Sequence, residues 1–63
     1  MDIDRFKSHI QVIAVQARWR PDQIQLAEDY IDRLAKKGLA CRRPLQLKLV
    51  HATLILDEFK KFS

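Results

Sequence analysis

The stretch from Pro44 to Phe62, PLQLKLVHATLILDEFKKF, constrains this chain more than any other. It carries ten apolar residues besides its proline. At about 100° per residue, Leu45, Leu49, Ala52, Ile55, Leu56, Phe59 and Phe62 fall on one broad stripe. Leu47, Val50 and Leu54 fall on another side, three and four residues apart, as a narrow seam. A helix that is apolar nearly all round is either central in its fold or covered by another chain. Leu45-Gln46-Leu47-Lys48-Leu49 also alternates with the period of a strand. Helix is the better reading. Leu, Gln and Lys favour helices, the apolar run outlasts an ordinary strand, and the alternation fails at Leu54-Ile55-Leu56.

A chain of 63 residues is at the small end of what one hydrophobic core holds together, so a disulfide, a metal or a second copy is expected to help. A single cysteine, Cys41, excludes an internal disulfide. Cys41, His9 and His51 have no zinc-ligand spacing. Oligomerisation remains, and no cofactor is expected.

One Gly and two Pro punctuate the chain. They predict three helices, about 2–18, 21–37 and 44–62, in a single all-α domain. In the first, Asp2 can cap and Asp4 lies in the first turn. Ile3, Phe6, Ile10, Ile13, Ala14 and Ala17 form its main stripe, and Ser8, Val12, Val15 and Trp19 a second, weaker one. The second helix opens at Pro21, where no N–H is needed. Ile24, Ala27, Tyr30, Ile31, Leu34 and Ala35 make its one apolar stripe, opposite Gln25, Asp29, Asp32, Arg33 and Lys36. Gly38 ends it, with Leu39 placed to fold back on Leu34. Short links predict that successive helices alternate in direction. The expected architecture is a small antiparallel three-helix bundle that forms a homodimer through helices one and three. Ile10, Ile13, Ile31, Leu34, Leu49, Ala52, Leu56 and Phe59 are the expected core. Val12, Val15, Trp19, Leu47, Val50 and Leu54 are the expected oligomer or partner interface.

No Gly-rich phosphate loop, no G-x-S-x-G and no carboxylate pair beside a histidine is present, and hydroxyl nucleophiles are few. A non-catalytic chain is expected. The longest apolar run is far below the ~20 residues of a membrane span. The opening MDIDRFK lacks the apolar core of a secretory signal, so a cytoplasmic protein is expected. Histidines 9 and 51 read either as a pH-sensitive or metal-binding pair across a dimer or as boundary residues beside apolar stripes. Cys41 reads as a thiol activated by Arg42 and Arg43 or as a small loop residue. Trp19 reads as a partner hot spot or as a staple against Ile24.

Net charge +4 and a pI near 9.6 raise nucleic-acid binding. Arg18, Arg20, Lys36, Lys37, Lys60 and Lys61, however, lie at helix ends, where the helix dipole favours cations. Arg42 and Arg43 go against the dipole. With Lys36 and Lys37 they form the candidate contact for nucleic acid or an acidic partner. The segment from Ile31 to Pro44, IDRLAKKGLACRRP, resembles the end of a recognition helix entering the wing of MarR-type winged-helix regulators. That family often shows a Leu-x-x-x-Gly-Leu step followed by Arg and Pro. The resemblance spans about 14 residues and implies DNA contacts at Gln23, Gln25, Arg33, Arg42 and Arg43. The chain departs from the pattern where a long apolar segment follows Pro44 in place of two wing strands.

The function expected from these features is a small protein-interaction module, an adaptor, inhibitor or regulator, acting as a homo-oligomer. The alternative is a DNA-binding regulator.

Overall fold

The computed structural model describes residues 2–38 and 46–62. Among them the chain is all-helical: α1 (Ile3–Gln16), α2 (Pro21–Lys37) and α3 (Leu49–Phe62) pack together without strands. No described helix is long and apolar enough to cross a membrane.

Each boundary has a local cause. Asp2, in extended backbone, accepts a hydrogen bond from the Arg5 N–H (3.2 Å), which caps α1. Helix α1 ends at Gln16 rather than near 18. Arg18 adopts a left-handed φ of 59°. Its N–H donates to the Val15 carbonyl (3.1 Å), and the Trp19 N–H donates to the Ala14 carbonyl (2.9 Å). These two bonds are the 5→2 and 6→1 pair of a Schellman motif, made here without glycine. Pro21 then starts α2 as the sequence predicts, with Asp22 in its first turn and Lys36 and Lys37 in its last. Gly38 stops it at φ 66°, ψ −158°, and donates its N–H to the Leu34 carbonyl. Only glycine visits that region readily.

Helix α3 departs most from expectation. Residues 46–48 are turn and bend, and the helix begins at Leu49; Pro44 and Leu45 lie outside the described residues. Leu47, expected on an outward seam, is 2% exposed and sits in the core. Leu49, expected in the core, is 68% exposed. The buried face of α3 runs through His51, Ala52 and Ile55, with half-buried Glu58 and Phe59. At about 100° per residue that face is rotated roughly 55° from the expected stripe, toward His51.

The contacts also fix the helix directions. Phe6, early in α1, meets Phe59 and Phe62 at the end of α3, both edge-on with centroids 5.6 Å apart. Lys7 pairs with Asp32, late in α2, and this hydrogen-bonded carboxylate raises the lysine pKa above its ordinary value. Trp19, just past α1, stacks on His51 near the start of α3. Gln23, in the first turn of α2, bonds residues 46 and 48. Helix α1 therefore runs against both other helices, while α2 and α3 begin at the same pole. The alternating order predicted from short links does not hold for α2 and α3. Eleven residues, 38–48, separate these helices, the first of them the Gly38 cap of α2. Such a length reaches ~36 Å when extended, more than the ~25 Å of a 17-residue helix, so the chain can return to the pole it left.

The core comprises Phe6, Ile10, Ala14, Ala27, Tyr30, Ile31, Leu34, Leu47, Ala52 and Ile55. Of the expected core, Ile10, Ile31, Leu34 and Ala52 are buried, and Ile13, Leu56 and Phe59 pack half-buried against them.

Candidate docking faces and the α3 clamp

Exposed large apolar side chains are unevenly distributed among the described residues. Val12 and Val15 stand on α1; Leu49, Val50 and Phe62 stand on α3. The outward face of α2 has none and carries Gln25, Asp29, Arg33, Lys36 and Lys37. On α1, a shallow depression is lined by Ser8, Gln11, Val12, Val15 and Gln16, a patch without a charged residue. On α3, another is lined by Leu49, Val50, Thr53 and Leu54 at its apolar end and by Asp57, Glu58 and Lys61 at its charged end. The two faces belong to neighbouring antiparallel helices.

The six expected interface residues thus separate. Val12, Val15 and Val50 are exposed on these faces. Leu54 is half-buried and packs against the core while lining the α3 depression. Leu47 and Trp19 face inward. Trp19 is half-buried, and its ring lies on the His51 ring with centroids 3.8 Å apart and planes 20° from parallel. This stack occupies one face of the indole. Leu49, missing from the expected interface, is the most exposed of the large apolar residues among those described.

Each histidine has one buried nitrogen without a hydrogen-bond partner among the described residues, Nε2 of His9 and Nδ1 of His51. His9 lies 3.6 Å from the Glu58 carboxylate, too far for a hydrogen bond, and its ring tilts against Phe62. His51 is buried, and its Nδ1 has no hydrogen-bond partner among the described residues. Burial, and behind it the charge of Lys48, pushes the His51 pKa below its ordinary value.

Among the described residues, Gln23 carries the most specific polar geometry. Its Nε2 donates to the Gln46 carbonyl (3.1 Å), and its Oε1 accepts from the Lys48 N–H (3.0 Å). One buried amide therefore satisfies both a donor and an acceptor in the turn that enters α3. The Ala52 N–H then bonds the Lys48 carbonyl (3.0 Å), which opens the helix. Gln23 is a structural clamp and is not presented for DNA contact. Its sequence signal is position: residue 23 lies on the same face as Ala27, Tyr30, Ile31 and Leu34, and a polar group there needs partners.

Of the candidate basic contacts, Lys36 and Lys37 are exposed at the end of α2. Arg42, Arg43 and Cys41 lie outside the described residues. Because α2 and α3 run the same way, Lys36 and Lys37 share a pole with Lys60 and Lys61; in an alternating bundle they would be apart. No group of three or more His, Cys, Asp or Glu placed to hold a metal occurs among the described residues. No family model, curated protein or solved structure matches the chain.

Proposed function

We propose that this chain is a small non-catalytic interaction module whose working surface is the outward faces of α1 and α3, and that a second copy of the chain covers it. The observation that carries this reading is the segregation of large exposed apolar side chains: Val12, Val15, Leu49 and Val50 on those two helices, none on α2. Single exposed valines are ordinary on any surface. Apolar residues grouped on two adjacent helices and absent from the third have the pattern of an interaction face. Symmetric homodimers are the commonest assembly that buries such a face, and a core this small gains from one. The depression on α1 is uncharged, which removes the like-charge cost of bringing two copies together. An adaptor, inhibitor or regulator of another protein is the role this surface suits. Light scattering over a concentration series tests the assembly. The reading expects a mass twice that of the 7.4 kDa chain; a constant monomer mass through high micromolar concentration opposes it.

A second reading draws on the shared pole of Lys36, Lys37, Lys60 and Lys61, with net charge +4 and Arg42 and Arg43 nearby in sequence. On that reading the chain is a DNA-binding regulator of a phage, plasmid or bacterium. Binding to random duplex DNA that weakens steeply with salt and is lost in Arg42→Ala/Arg43→Ala favours it. Absence of binding at low salt leaves the protein-interaction reading.

A further inference from the structure

His51 is a titratable ring in an unusual position. It is buried at the pole where the α1–α2 corner meets the start of α3. One face is covered by Trp19 at 3.8 Å. Its Nδ1 is sealed from solvent and has no acceptor among the described residues. The surrounding charges do not suit a cation. Lys48, one turn before His51, opposes a positive ring. Arg18 and Arg20 flank Trp19 in the chain, and the Asp22 carboxylate lies 3.7 Å from Arg20. Helix α2 offers neutral Gln23, whose amide is already used on residues 46 and 48. On α1 no residue from Ile10 to Ala17 is charged, and three and four residues either side of His51, besides Lys48, stand apolar Leu47, Leu54 and Ile55; Glu58, two turns further along α3, lies 3.6 Å from His9.

We propose that the Trp19–His51 stack is an acid-sensitive latch. While the imidazole is neutral, the stack holds the start of α3 against the α1–α2 corner; when the ring takes a proton from solvent, it leaves the stack and the start of α3 is released. A neutral imidazole is close to an apolar ring and packs well on indole. An imidazolium in the same place carries a sealed Nδ1–H with no acceptor among the described residues, and burial of that group penalises the charged form. Cation–π attraction to the indole face opposes release; the sealed Nδ1 and the Lys48 charge favour it. The sign of the linkage follows. With the folded pKa below that of the unfolded chain, the unfolded state binds the proton first. The stabilisation is complete above the ordinary histidine pKa and is lost as pH falls through the lower, folded value. The segment freed by opening includes buried Leu47 and the residues clamped by Gln23, next to the exposed Leu49 and Val50.

Trp19 is the sole tryptophan and therefore reports on its own latch. The test is a titration of the unaltered protein from pH 8 to pH 5. Trp19 emission, the His51 ring proton by NMR and amide exchange at the start of α3, expressed relative to the intrinsic rate at each pH, are followed together. The expected result is one shared midpoint below the ordinary histidine value, with exchange near His51 rising at least tenfold as the stack opens. His51→Phe, which keeps a stacking ring, is expected to remove the transition; His9→Gln is expected to leave it. A His51 midpoint at or above the ordinary value overturns the proposal. So does a Trp19 transition that persists in His51→Phe, or unchanged exchange at α3 through the His51 titration.

Discussion

Helices α2 and α3 both carry long apolar patterns and both end in a lysine pair, yet they are positioned by different forces. Helix α2 is held by its own sequence: Pro21 starts it, Gly38 stops it, and one apolar stripe faces one core. Helix α3 has no acidic residue in its first turn, and a glutamine from α2 fixes the segment that enters it. A helix with internal stop and start signals has one register; a helix apolar on two sides needs a tertiary contact to choose between them. The choice made here buries Leu47 and exposes Leu49, although the two leucines are separated by a single residue.

That contrast can be broken at several points. The largest effect is expected at Leu47. Leu47→Ala should lower stability by about 3 kcal/mol, as core leucine truncations do, whereas Leu49→Ala should change it by less than ~0.5 kcal/mol; urea denaturation checks both. Equal losses would mean that α3 has a different register. Gln23→Ala should cost about 2 kcal/mol, because a backbone donor and acceptor in the α3 entry lose their partner. The same denaturation series measures it, and hydrogen exchange should place the loosening at 46–52 rather than within α2. At Gly38, an added Cβ meets no atom within 4 Å, so only the backbone conformation opposes it. Gly38→Ala should therefore cost about 1 to 2 kcal/mol by thermal melting. Arg18→Gly should do the reverse. Removing a left-handed non-glycine residue should gain about 0.5 kcal/mol after the greater entropy of the unfolded glycine is offset.

The same physics explains what the sequence revealed. Three helices were legible from the proline and glycine punctuation and from 3.6-residue periodicity, and α2 was legible to its end residues. The early end of α1 was not, because Arg18 takes a conformation normally signalled by Gly or Asn. The register of α3 was hidden because its buried face includes a histidine and a half-buried glutamate. A reading that sorts residues by hydropathy assigns both to solvent. Its start was hidden because the clamp comes from residue 23, more than twenty positions away. The helix directions depended on the link being longer than a turn. In the candidate interface, Val12, Val15 and Val50 could be picked out from stripe geometry. Leu49 and Leu47 exchanged roles with the register of α3, and Trp19 was taken inward by a histidine whose burial no local pattern announces.

The account rests on the outward faces of α1 and α3 being a surface that another copy covers. Sedimentation equilibrium of Val50→Asp beside the unaltered chain, with helicity checked by circular dichroism, tests this most directly. Val50 is 67% exposed, so a charge there should leave the fold intact. The account predicts a dimer for the unaltered chain and a fully helical monomer for Val50→Asp, with the dimer dissociation constant raised at least tenfold. Identical masses for the two proteins at every concentration would contradict it.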